Sequence, residues 1–239
     1  MKTRNTKLGV IAITLLSAAM PFTAKAQDKV EASVGADFVS NYIWRGTDCG
    51  GVSIQPSMGV SYKGLSLAAW GSVGIDKEDA REIDLTLGYN TGGFNVSVTD
   101  YWFSYHKEDG GYTGDYFKYG AHSTIHIFEA TLGYDFGPLA LSWNTYFAGD
   151  DYTKENGDRA YSTYVGISAP FKLGGLDWSA EVGLTPWEGA YANKFNVTNL
   201  TLKAEKEIKF TNSFSLPTFA QVTFNPHTQG AYFVFGVSF

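Results

Sequence analysis

From residue 30 onward the chain alternates apolar and polar side chains with a period of two, which is the period of a β-strand and not of a helix. Val30, Ala32, Val34, Ala36, Phe38, Tyr42 and Trp44 fall on one face, whereas Glu31, Ser33, Asp37 and Asn41 fall on the other. A first strand is therefore expected from Val30 to Trp44, followed by a loop from Arg45 to Gly51. The second strand sets Val52, Ile54, Pro56, Met58, Val60 and Tyr62 against Ser53, Gln55, Ser57 and Ser61, and ends at a tight Lys63-Gly64 turn. Leu65, Leu67, Ala69 and Val73, and then Ile83, Leu85, Leu87 and Tyr89, continue the pattern on either side of the charged stretch from Asp76 to Arg81.

A fifth strand starts at Phe94, Val96 and Val98, but its register puts Asp100 on the apolar face. A bulge near Thr99 and Asp100 would resolve this and return Tyr101, Phe103 and Tyr105 to the apolar side. After the longest polar stretch, His106 to about Ile125, alternation resumes in strands around residues 128–136, 139–147, 161–171, 176–184, 200–205 and 214–224. The last is Ala231 to Phe239, in which Ala231, Phe233, Phe235, Val237 and Phe239 share a face and the chain ends on an aromatic residue.

About twelve strands result, joined alternately by long polar loops and by short turns rich in Gly, Pro and Asn. An even number of strands of about nine to eleven residues, with this asymmetry of connections, is the pattern of a transmembrane antiparallel up-and-down β-barrel. The fold class is all-β. A closed barrel also removes the open edges that a terminal apolar strand would leave. Aromatic residues sit at the strand ends where an interfacial girdle would be: Tyr62, Phe94, Phe136, Phe171, Phe214 and Phe239 on the short-turn side, and Tyr42, Trp44, Phe147 and Phe224 on the other. A soluble sandwich or lipocalin-like barrel also alternates, but buries its apolar face; here that face is aromatic at both ends.

The amino-terminus changes the picture next. Lys2, Arg4 and Lys7 precede an apolar run from Leu8 to Met20, and Ala24-Lys25-Ala26 supplies a cleavage site, so residues 1–26 read as a secretory signal peptide and residues 27–239 as the mature barrel. Its removal takes four basic residues and no acid, so the 18 basic residues become 14 against 24 acids, a net charge of −10. That balance argues against nucleic acid as a partner. A single cysteine, Cys49, excludes an internal disulfide.

Several stretches resemble a known family. Ser40-Asn-Tyr42-Ile-Trp44-Arg45-Gly46, then Gln55-Pro56, Gly59, Tyr62, Gly64-Leu65 and Ala69-Trp70-Gly71-Ser72, then Glu82-Ile-Asp84 with Gly88-Tyr89, and Phe128-Glu129 with Gly133-Tyr134 are similar to the TorF-like family of small outer-membrane porins of Gram-negative bacteria. The likeness covers about residues 37–148, and the Cys49-Gly-Gly loop and the Tyr-rich segment from His106 to Ile125 depart from it. It implies location in the cell outer membrane and a pore role. The apolar ending Phe233, Phe235, Val237 and Phe239 likewise resembles the carboxy-terminal signal read by the outer-membrane barrel assembly machinery.

The polar face carries the candidate chemistry. Glu31, Asp37, Glu82, Asp84, Glu129, Asp135, Asp177, Glu181 and Glu205, with Lys203 and Arg45, are expected to line the lumen. An acid-lined pore favours cations, which gives a porin-like channel for passive diffusion of small hydrophilic solutes or ions. The alternative is a closed barrel in which these charges pair with one another or with tyrosines and plug the interior, leaving a structural or loop-mediated binding role. Arg45 suits a phosphate of lipopolysaccharide, a constriction, or an ion pair with Asp37 or Asp84. Outer-membrane lipids and lipopolysaccharide are the other expected partners.

Enzyme chemistry is weakly signalled. Ser104 and His106 share a strand face, as a lipid-modifying hydrolase would require, but no orienting acid is evident in the sequence. His122 and His126, four apart, have no third ligand, and read as loop residues. Cys49 reads as a small loop residue or a free surface thiol. No catalytic group, metal or cofactor is expected.

Overall fold

The computed structural model describes residues 29–107, 111–212 and 214–239. The expected leader, residues 1–26, lies outside them. The strands are β1 (Glu31–Val39), β2 (Tyr42–Trp44), β3 (Thr47–Gly50), β4 (Ser53–Tyr62), β5 (Leu65–Gly74), β6 (Arg81–Thr91) and β7 (Phe94–Ser104). They continue as β8 (Ile127–Asp135), β9 (Ala140–Gly149), β10 (Thr163–Leu173), β11 (Leu176–Thr185), β12 (Asn196–Lys209), β13 (Ser215–Asn225) and β14 (Gly230–Ser238). Twelve of them form a closed antiparallel barrel in which each pairs with its sequence neighbour and β14 returns to β1; β2 and β3 form a separate two-stranded hairpin.

Alternation decides which face is which. Leu67, Leu87, Val96, Leu132, Phe171 and Phe235 are all exposed on the outside, while Ser53, Gln55, Asn144, Ser142, Thr201 and Gln221 are buried inside. The inside is therefore polar and the outside apolar, the reverse of a soluble barrel built around an apolar core. The six aromatic residues expected on the short-turn rim are all exposed there. Short turns use left-handed backbone: Gly174 and Gly175, at φ 62° and 78°, join β10 to β11 with the two positive-φ residues that a twisted hairpin prefers.

Three expectations are corrected. The first barrel strand ends at Val39, not Trp44, so Tyr42 and Trp44 belong to the β2–β3 hairpin and not to an outer aromatic rim, and the expected Arg45–Gly51 loop is the second half of that hairpin. No bulge interrupts β7: Thr86 opposes Thr99, Leu85 opposes Asp100 and Asp84 opposes Tyr101 in unbroken register. Tyr101 and Phe103 accordingly point inward, where they pack in one aromatic cluster, and Asp100 points outward. Register shifts in the barrel lie at Phe128/Glu129 and Gly183/Leu184, and one more lies in the hairpin at Tyr42/Ile43.

Candidate functional site

The hairpin that leaves β1 turns into the lumen instead of outward. Trp44 and Thr47 close a two-residue turn of Arg45 and Gly46, at φ 51° and 80°. Positive φ is uncommon for a residue with a side chain, and here the surroundings hold it. A Cβ on Gly46 would lie 1.9 Å from the Thr198 carbonyl oxygen of β12, so only glycine lets the tip touch that wall. Asn225 Nδ2 of β13 donates to the Gly46 carbonyl at 3.0 Å. At its base Ile43 packs with Val39 and Val234, and Tyr42 lies 5.4 Å from Trp70 of β5. The hairpin thus starts between β1 and β4 and reaches strands on the far side of the ring.

Arg45 stands at its tip. Nη1 reaches Glu129 Oε2 of β8 at 2.5 Å and Nη2 reaches Oε1 at 2.9 Å, a two-point clasp to a carboxylate 84 positions away in sequence. Tyr191, from the loop between β11 and β12, accepts from Nη1 at 2.5 Å and donates to Tyr146 at 3.0 Å. Tyr101 donates to Glu129 at 3.0 Å. The guanidinium lies 4.3 Å from the Trp44 ring and 4.7 Å from the Tyr164 ring, a stacked, fully paired cation of the kind arginine favours over lysine. Tyr164 passes the network on to Glu181 at 2.5 Å and accepts from Asn199 at 3.0 Å.

Burial opposes the charge on Arg45, but the field of Glu129 outweighs it and holds the guanidinium well above its ordinary pKa. Burial pushes the Tyr191 phenol up to about 12 in spite of the nearby Arg45. On the near side of the hairpin, burial and then the Glu82 carboxylate raise Tyr42, and the same two effects push the Cys49 thiol up to about 12. Cys49 is consequently a sheltered thiol at neutral pH, not a reactive surface one.

The expected lumen residues divide into groups. Glu129 and Arg45 pair with each other, so the expected partners Asp37 and Asp84 are wrong. Glu181 is bound by Tyr164 and Asn199. Lys203 pairs with Glu205 at 2.6 Å and lies over the Phe219 ring. Asp177 pairs with Lys172 at 2.5 Å at the short-turn rim, where Asp135 accepts from the Gly137 amide. Glu82 and Asp84 are buried together on β6, and neither Asp84 oxygen has a hydrogen-bond partner. Glu31 and Asp37 are half-buried on β1.

The remaining candidates do not assemble a catalytic site. The Ser104 hydroxyl donates to the Thr113 carbonyl at 2.6 Å, and His106 packs edge-on against Tyr112. His122 is exposed while His126 is wholly buried. Among the described residues no group of three or more metal-type ligands occurs. Sequence reasoning missed the luminal roles of Tyr101 and Tyr164, because a tyrosine on an alternating strand reads equally well as girdle or as filling, and of Tyr191, because it lies in a loop with no alternation to place it.

No family model and no curated protein sequence matches this chain. Among solved structures it is similar to BamA from Haemophilus ducreyi lacking POTRA domains 1-3, at 11% identity and a TM-score of 0.38, over 81% of this chain and 41% of that one. The chain therefore spans about two fifths of the length of that structure.

Proposed function

We propose that the protein is a barrel of the bacterial outer membrane that passes small hydrophilic solutes, cations preferentially, through a lumen kept shut by its inward hairpin. The Arg45–Glu129 clasp carries this reading: a polar interior is blocked by a hairpin that is held through one buried ion pair and one tyrosine. The apolar outer wall supports the membrane setting, because only a closed barrel lets strands satisfy every backbone group in lipid. The half-buried Glu31 and Asp37 carboxylates on β1 support the cation preference.

Planar-bilayer recording tests it. The native protein should be mostly silent, and Arg45→Ala should conduct in frequent steps as the hairpin leaves the lumen. Those steps should prefer cations in dilute salt and lose the preference near 1 M, where the Debye length falls from roughly 10 Å at 0.1 M to about 3 Å. Silence of Arg45→Ala at high protein density would leave a permanently closed barrel with a structural or binding role. Anion preference in dilute salt would overturn the role given to the lumen acids.

A further inference from the structure

The outer wall is not uniformly apolar. Asp100, Trp102 and Ser104 all point outward from the upper half of β7, beside Arg81 of β6, on the face where Val96 and Val98 lie lower down. The segment 111–126 lies across these groups like a strap. Arg81 stacks on the Tyr112 ring at 3.7 Å, Ser104 donates to the Thr113 carbonyl, and Trp102 packs edge-on against Tyr116 at 5.4 Å. His126 is buried beneath the strap, with Nδ1 2.7 Å from Asp100 Oδ1 and Nε2 2.7 Å from the Tyr116 carbonyl. Both ring nitrogens are thus engaged, one by the Asp100 carboxyl of β7 and the other by the strap's own backbone. Tyr119 stacks over that ring at 4.3 Å.

The depth of this arrangement is informative. Asp100 is six residues above Phe94 at the short-turn end of β7, or about 20 Å along a strand at ~3.3 Å per residue. With strands tilted about 40° that is roughly 15 Å of height, inside an apolar band about 25 Å tall. An ionisable pair of side chains at that depth is costly unless protein covers it. The strap that covers it must then itself descend into the band. At the turn of the strap Phe117 packs edge-on against Tyr116 and is otherwise open, the most exposed large apolar side chain among the described residues at 88%, with Lys118 and His122 exposed nearby and Asp115 as the opposing charge.

Resting on the membrane reading above, we infer that the strap 111–126 docks on the lipid of the outer leaflet, with Phe117 among the acyl chains and Lys118 extended upward to headgroup phosphate. The apolar surface of Phe117 continues the wall of the barrel, and a lysine stem can run along apolar surface while its ammonium reaches the interface. The strap thereby shields Asp100 and His126 from lipid on one side and anchors in that lipid on the other.

Nitroxide labels read by power saturation test this in bilayers of phosphatidylcholine with phosphatidylglycerol. In a Cys49→Ser background, one label is placed through Phe117→Cys and a second through Leu132→Cys, which faces outward on β8. Both should collide more readily with oxygen than with a water-soluble nickel chelate. A Leu132 label in lipid with a Phe117 label in water would overturn the strap alone, whereas both labels in water would overturn the membrane setting and the strap with it. Adding Lys118→Glu should lower the oxygen-to-nickel ratio at position 117 at least twofold, and an unchanged ratio would overturn the contact with phosphate.

Discussion

Arg45 keeps its charge although it is buried, because Glu129, Tyr191 and two aromatic faces together take its donors and its planar faces. Removing one member of a buried pair leaves the other uncompensated, at about 3–5 kcal/mol. Arg45→Ala should therefore lower the urea midpoint of the folded barrel in detergent, and more than Lys172→Ala, which breaks an exposed pair at the rim. Tyr191 gives a pH dependence of known sign. Its folded pKa of about 12 exceeds the ordinary 10, so its contribution is complete below pH 10 and is lost as the pH rises towards 12. Titration from pH 9 to 12, followed by tyrosinate absorbance, should show this ionisation coinciding with release of the hairpin; Tyr191→Phe should remove this step from the titration. Cys49 offers a direct readout of release, since maleimide should label it slowly in the native protein and at least tenfold faster in Arg45→Ala. The charged residues on the polar face were legible in the sequence, but the partner of Arg45 was not. Asp37 and Asp84 were chosen as near neighbours along the wall, whereas a hairpin that crosses the lumen brings Arg45 to Glu129, and no alternation pattern encodes that crossing.

At the scale of elements, the hairpin and the strap explain why two stretches departed from simple alternation. Ser40 to Gly46 continues the alternation of β1, so it read as wall. Its turn residues, with Gly46 pressed on the Thr198 carbonyl, make it a plug instead. Gly46→Val should displace the tip, and Cys49 labelling and bilayer conductance should then change in the same direction as in Arg45→Ala. Unaltered labelling would mean that the tip tolerates a side chain against β12. Asp100 was legible as a misfit, but its resolution was not. A bulge repairs a register locally, whereas this chain keeps register and covers the acid with a segment more than ten residues downstream. The consequence for Tyr101 and Phe103 is a change of side, from the outer wall to the interior, where Tyr101 donates to Glu129.

For the whole molecule, strand number and facing were readable because one face meets an apolar surface and the other a polar interior, so every strand repeats the same two-residue signal. Closure is less evenly distributed. β1 pairs with β4 along nine positions, from Glu31 to Val39, but with β14 along only three, Asp37 to Val39. Phe239 lengthens that join, with its amide donating to Ala36 at 2.9 Å and its carbonyl accepting in return, while its ring stands in the short-turn girdle. Phe239→Ser should reduce the fraction of heat-modifiable barrel on gels of outer-membrane extracts, and an unchanged fraction would separate the aromatic ending from assembly. Above Gly236 the ladder to β1 stops; Ser40 bridges to Phe235, and the reach from Ala231 to Val234 borders no barrel strand on that side. A ring with one short seam behaves under load as a belt does at its buckle. Deuterium should enter the amide of Phe233, in the open reach, before that of Phe235, which donates to Ser40, and a chain pulled from its carboxy-terminus should peel β14 away first, leaving eleven strands still joined edge to edge.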